Sequence, residues 1–234
     1  MVYARAVAGQ VLEFGVSGKL LRNVLVMYDR QTDSLWSQLL GAAISGPLMG
    51  TELTMLPALH TSWSVWRRQH PDGLLLRKAA PSYSGYRSYW RSETAGKLGA
   101  RFEDERVSGK QFVVGILIGG RAKAYPYSRL DAETVVNDTF EGAPLLVVFH
   151  DRSATGVIYS RQVRGQTLSF QLAQESDTGM LLTDEETAST WNGLSGVATQ
   201  GALAGQRLTT LPTTSSFWFG WKDHFPSTAV YGSE

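Results

Sequence analysis

The feature that most constrains this chain is that it repeats itself. Trp36 set against Trp191 defines an offset of 155 residues, and the same offset pairs Asp29 with Asp184, Thr32 with Thr187 and Ser34 with Ser189. The register continues through Gly41 and Gly196, Gly46 and Gly201, Leu56-Pro57 and Leu211-Pro212, Trp63 and Trp218, Trp66 and Trp221, and Pro71 and Pro226. Upstream the offset is one larger, which places Tyr3 against Tyr159, Val7 against Val163, and Phe14 against Phe170. Chance does not keep so many glycines, prolines and tryptophans in step.

The second copy continues upstream through residues 110–156, whereas the first runs out at Met1, which aligns with Val157. Met1 therefore falls inside an expected strand, which reads as an internal start, a fragment or a trimmed chain. The expected organisation is the back half of a first repeat over 1–78, a connector rich in Ser, Tyr, Arg and Gly over 79–109, and a complete second repeat over 110–234.

The expected fold class is α+β, mainly β, with one and a half copies of a β-rich unit and one short helix in each. Twenty-four glycines, seven tryptophans and nine tyrosines, without a long Ala- or Leu-rich stretch, favour strands and turns. Phe112–Ile118, Gly119-Gly120 and Arg121–Tyr125 predict a hairpin, and Leu145–His150 predicts a buried strand. Val157–Tyr159 and Thr167–Leu172 predict a second hairpin about Arg164-Gly165, matched in the first copy by Ala8-Gly9. Over Asp184–Trp191, period-two alternation puts Thr187, Ser189 and Trp191 on one face. After each Leu-Pro dipeptide comes a helix signal. Thr61 or Ser62 caps one carrying Trp63 and Trp66, and Ser215 or Ser216 caps one carrying Trp218 and Trp221. His70 and His224 then stand at helix C-termini, where a cation meets the dipole favourably. The six repeat-paired tryptophans read as core, their alternative role being an aromatic platform for carbohydrate or another flat ligand.

Composition narrows the chemistry. With no cysteine, disulfides, thiolate zinc sites, iron–sulfur clusters and cysteine nucleophiles are excluded. Residues 1–91 carry ten Lys/Arg against five Asp/Glu, and residues 92–234 twelve against sixteen, so opposed halves could attract each other weakly across an interface, although salt screens exposed charges. Arg67-Arg68 and Arg77-Lys78 are only pairs, not the dense basic stripe that a nucleic-acid partner requires. The longest apolar run, Phe112–Gly120, falls far short of the ~18 residues of a membrane span. The N-terminus lacks a basic start and apolar core, so the chain reads as cytoplasmic as written, and as exported if an upstream segment carries a signal.

Candidate site residues cluster in the second copy. His150, Asp151, Arg152 and Ser153 follow the buried strand and lead into a glycine turn, where polar side chains become available to a ligand. A base, an acid and a hydroxyl there could support hydrolysis, although a Ser/His/Asp triad needs a spatial arrangement that spacing does not show, and no Gly-x-Ser-x-Gly elbow is present. Asn137-Asp138-Thr139 reads either as an Asx-type turn or as a carboxylate directed into a cavity. Asp184, Glu185 and Glu186, with Asp177, offer oxygen ligands to calcium or another divalent ion, but without EF-hand spacing, so a solvated turn is the competing reading and no cofactor is expected.

The runs Gly15-Val16-Ser17-Gly18, Leu25–Arg30, Ser34–Gln38 and Gly46-Pro47-Leu48 resemble the first repeat of a bacterial and archaeal family called domain of unknown function 3179. Ala122–Pro126, Val136–Thr139, Leu182–Thr187 with Trp191, and Phe217–Phe219 resemble its second repeat. The family's Cys-Pro-Leu-Cys motif, often found behind an export or lipoprotein signal, has no counterpart here, so a thiol role does not carry over. The equivalent place in the second copy is Phe149–Gly156. Two function classes are thus expected. One is a binding or scaffold-type module with Asn137, Arg152 and Tyr125 as ligand contacts. The other is a hydrolase of ester or lactone type, metal-assisted or not, using His150, Asp151, Ser153 and Asp138. Self-association through an open sheet edge is a further expectation.

Overall fold

The computed structural model describes residues 1–7, 9–76, 86–92, 94–99 and 102–233. The basic pair Arg77-Lys78, residue Ala8 and part of the expected connector lie outside the described residues. Strands dominate and the helices are short, as expected for a mainly β member of the α+β class.

In the N-terminal region, β1 (Phe14–Leu21), β2 (Val24–Asp29), β3 (Leu35–Ser37) and β4 (Ala42–Ser45) form an antiparallel sheet in sequential order. Arg22 and Asn23 join β1 to β2 with positive φ at both positions, the backbone of a tight twisted hairpin. Short ribbons pair Val2–Tyr3 with Met55–Leu56 and Ala6–Val7 with Gln10–Val11. Helices α1 (Trp63–Gln69) and α2 (Tyr86–Arg91) follow.

The C-terminal region begins with the hairpin of β5 (Phe112–Ile118) and β6 (Arg121–Pro126), then α3 (Tyr127–Leu130). Next come β7 (Val135–Phe140), β8 (Ala143–His150) and β9 (Thr155–Ser160), an antiparallel sheet. Its middle strand is buried on both faces. Leu146 and Val148 enter one apolar cluster, while Leu145, Val147 and Phe149 enter another, which explains the uninterrupted apolar run. Strands β10 (Phe170–Ser176), β11 (Gly179–Asp184), β12 (Thr190–Asn192) and β13 (Val197–Gln200) form a second four-stranded sheet in sequential order. β14 (Thr214–Phe217), α4 (Trp218–His224) and β15 (Ala229–Val230) close the chain, with β14 and β15 flanking the β5–β6 hairpin.

The two four-stranded sheets share their hydrogen bonds at the offset of 155. Trp36 Nε1 donates to Asp29 Oδ2 at 2.8 Å, and Trp191 Nε1 donates to Asp184 Oδ2 at 2.8 Å. Thr32 and Thr187 donate to the same carboxylates, and Ser34 and Ser189 each stand 2.7 Å from that threonine hydroxyl. Both sheets have a register shift immediately before the tryptophan. The expected strand alternation over 184–191 is replaced by a turn, since β11 ends at Asp184 and β12 starts at Thr190. What gathers Thr187, Ser189 and Trp191 is the buried Asp184 carboxylate, whose lone pairs must be satisfied away from water. The small Arg164-Gly165 hairpin joins Gln162–Val163 to Gln166–Thr167, so the longer strands around it begin further out than expected.

The helices differ. Ser62 Oγ caps α1 by accepting the Val65 N–H at 3.4 Å. Ser215 and Ser216 do not cap α4, because pairing with Val114 and Val113 holds them in β14, leaving Phe217 at the cap position without a side-chain bond. Trp36, Trp191, Trp218 and Trp221 are fully buried, but Trp63 is exposed and Trp66 half-buried. Trp221 packs on β5 at Gly115, where a Cβ would come within 2.2 Å of its ring. α1 instead inserts Val65 among Leu146, Val148 and Val157, docking the N-terminal helix on the C-terminal sheet.

Candidate functional site

At the end of β8 the chain enters a single 3-10 turn over Asp151–Ser153. Three residues per turn bring Ser153 back under His150. Ser153 Oγ lies 2.6 Å from His150 Nδ1, and His150 Nε2 lies 2.7 Å from the Ser176 carbonyl oxygen. A carbonyl can only accept, so Nε2 carries a proton and, in the neutral imidazole, Nδ1 accepts the Ser153 hydroxyl proton. The hydroxyl chain continues through Thr155 Oγ1 at 2.7 Å to Thr61 Oγ1 at 2.8 Å, which ties this turn to the N-cap segment of α1. His150 and Thr155 are completely buried.

The other residues expected beside them lie elsewhere. Arg152 is exposed and pairs with Asp177. Asp151 is exposed and faces Asp131, whose carboxyl is held above its ordinary value by burial and by the neighbouring Asp151 charge. Asp138 stands opposite Leu145 on β8. Five strand residues, about 17 Å, therefore separate it from His150.

Asn137-Asp138-Thr139 is not a turn. All three lie in β7, where pairing with β8 overrides the local Asn-Asp signal. The two faces of the strand then separate the side chains. Asn137 exchanges two bonds of 2.8 Å with the Phe170 backbone and so joins β7 to β10. Asp138 Oδ2 accepts from Tyr125 at 2.7 Å and pairs with Lys123 Nζ at 2.7 Å. Burial opposes ionisation of Asp138, but the bonds from Lys123 and Tyr125 outweigh it and hold the carboxyl below its usual range. Lys123 is buried, with its ammonium 5.6–5.9 Å from the ring centres of Tyr125, Phe140 and Tyr231. No motif in the sequence singles out Lys123. Its available signal was position, two residues before Tyr125 on the same strand face.

The three acidic residues at 184–186 do not converge. Asp184 is consumed by its Thr, Ser and Trp donors, Glu185 accepts from Gln171, and Glu186 accepts the Ser169 N–H. Among the described residues no group of three His, Cys, Asp or Glu side chains is placed to hold a metal ion.

The largely apolar concavity lies between the two regions of the chain. Leu39, Leu53 and Met55 form one wall and Ile116, Leu145 and Trp221 the other, enclosing about 470 Å³. Polar groups are few: the hydroxyls of Ser160 and Thr214, the Tyr3 hydroxyl, which donates to the Gln38 carbonyl at 2.9 Å, and the exposed Glu52. Burial pushes the Tyr3 hydroxyl up to about 12. Glu52 is the one charged side chain on this wall among the described residues.

A small mainly β protein with an apolar cleft between two sheet-bearing regions is a class defined by fold alone. Within it, the chain belongs to DUF3179, the family described as protein of unknown function, whose model matches residues 1–228. No curated protein and no solved structure matches it.

Proposed function

We propose that this chain, one and a half copies of a β-rich unit, is a small-molecule binding module whose site is the cleft between its two regions. The carrying observation is the cleft itself. Its 470 Å³ and apolar walls fall within the range of small-ligand sites, which are mostly hydrophobic with a few polar groups that orient the ligand. Glu52 at its margin favours an apolar ligand with a cationic or hydrogen-bond-donating end.

The test compares 4-phenylbutylamine with 4-phenylbutyrate, which share an apolar body and differ in end charge. At tenfold excess over its Kd the amine is expected to raise Tm by about 3–5 °C. The carboxylate is expected to raise it less, and Glu52→Gln is expected to erase the difference. Leu117→Arg, which puts a cation on the cleft wall, is expected to abolish the amine effect. Equal shifts in the wild type and Leu117→Arg would refute the assignment.

One observation favours the hydrolase reading: the 2.6 Å contact between His150 and Ser153, the geometry by which an imidazole activates a hydroxyl. Against it stand the burial of both residues and the second hydroxyl, Thr155, on Ser153. A screen of simple esters and lactones, with and without chelator, decides the matter. Turnover that is lost in His150→Ala, with circular dichroism unchanged, would establish the hydrolase reading.

A further inference from the structure

A second concavity, about 540 Å³, lies where α1 meets β9, β12 and β13, and it differs in character from the apolar cleft. Its floor is apolar, from Leu59, Val157 and Leu194, and its margins carry Trp66, Gln69, His70, Asn192, Thr199 and Arg207. The corresponding place in the C-terminal region shows what makes it unusual. Trp221 donates its indole N–H to Thr228 Oγ1 at 3.0 Å and packs against Phe225 with ring centres 4.5 Å apart. At the offset of 155, Trp66 has the same ring contact with His70, at 4.0 Å, but Gly73 stands where Thr228 would be. A Cβ on Gly73 would lie 3.2 Å from Trp66 Nε1, so glycine brings to that edge of the indole neither a side chain nor the hydroxyl that Thr228 offers Trp221. Thus an internally satisfied Trp/Phe/Thr group has become a Trp/His/Gly group with a polar ring and an indole N–H that has no acceptor among the described residues.

The opposite margin is also rich in unused donors. Asn192 spends its Oδ1 on the Leu194 and Ser195 N–H groups, each at 3.0 Å, which leaves its amide N–H groups without a partner among the described residues. Arg207 donates one bond, to the Ser195 carbonyl at 2.9 Å, and is otherwise exposed. Gln69 makes no side-chain hydrogen bond among the described residues. Among the described residues no carboxylate lines the groove, and Arg207 is its one fixed charge.

We propose that this groove binds a short saccharide carrying a carboxylate, with the sugar ring against Trp66 and the carboxylate toward Arg207. A sugar ring presents an apolar C–H face to an aromatic surface and a girdle of hydroxyls to planar amide and guanidinium donors, the combination found here. An acidic sugar also satisfies the unopposed guanidinium, by paired N–H···O bonds.

Isothermal titration calorimetry with trigalacturonate, cellotriose and benzoate tests this. Trigalacturonate is expected to bind with a Kd of about 1 mM or tighter, ahead of both others. Trp66→Ala is expected to weaken it about tenfold, and Arg207→Gln to bring it down to the level of cellotriose. Arg207 is exposed, so that variant tests the idea even if Trp66→Ala folds poorly. Leu117→Arg in the apolar cleft is expected to leave saccharide binding unchanged, which separates this proposal from the cleft assignment. Absence of trigalacturonate binding, equal binding of cellotriose or benzoate, or binding indifferent to both groove variants would each overturn it.

Discussion

Trp66 and Trp221 follow corresponding Leu-Pro dipeptides in matching short helices, yet one is half-buried at a groove and the other is almost wholly buried, with one edge at the wall of the apolar cleft. The difference comes from what lies beneath each helix. α4 rests on the β5–β6 hairpin, with Gly115 admitting the indole ring, and the β14 strand leading into it extends the same sheet. Among the described residues α1 has no such hairpin from its own region, and it docks through Val65 on the C-terminal core. The same residue type therefore serves packing in one place and a surface in the other, because burial is a property of neighbours rather than of the side chain.

The comparison can be broken by substitution. Trp221→Ala is expected to cost about 3–5 kcal/mol, the range for removing a large buried aromatic, whereas Trp66→Ala is expected to cost about 1 kcal/mol or less. Urea unfolding of the two variants reads both, and equal losses would erase the contrast. The hairpin beneath α4 also supplies Lys123, which pairs with Asp138. Asp138→Asn is expected to cost about 3–5 kcal/mol, since it removes one partner of a buried ion pair. The sign of its pH dependence follows from the depressed pKa. The stabilisation is complete above the unfolded value near 4 and is lost as pH falls through the lower folded value. Acid titration of Tm should accordingly be shallower in Asp138→Asn than in the wild type.

Smaller changes sharpen the same contrast. Gly115→Ala drives a methyl into the Trp221 ring and is expected to cost about 1–3 kcal/mol, measurable as a lower urea midpoint. Thr228→Val removes the acceptor for the Trp221 N–H and is expected to cost about 1–2 kcal/mol. Among the described residues the Trp66 N–H has no such partner to lose.

What the sequence made legible was what is local. The Asp, Thr, Ser and Trp of each four-stranded sheet lie within eight residues, and their shared spacing at 29–36 and 184–191 announced one arrangement twice. The β5–β6 hairpin and the buried β8 strand were readable for the same reason, from a glycine pair and an apolar run. Where long-range pairing competes with a local signal, the local signal loses. The turn reading of Asn137-Asp138, one of the two it allows, gives way to a strand because β8 lies beside it, and Ser215 and Ser216, the alternative caps, are strand because β5 lies beside them. The candidate site divided likewise. His150 and Ser153 meet through a three-residue turn, whereas Asp138 belongs with Lys123 and Tyr125 at the other end of the sheet. Both concavities are assembled from residues more than a hundred positions apart, such as Leu53 with Trp221 and Trp66 with Arg207, and spacing carries no trace of them.

The central claim, that the cleft between the two regions is a ligand site, is tested most directly by following the tryptophan indole N–H signals in a ¹⁵N-labelled sample during titration with 4-phenylbutylamine. Trp221 lines the cleft, and Trp66 and Trp36 do not. The account predicts a saturable shift of the Trp221 indole, with Trp66 and Trp36 unmoved and the response gone in Leu117→Arg. A Trp221 signal that stays in place while the amine shifts Trp66, or shifts nothing, would contradict it.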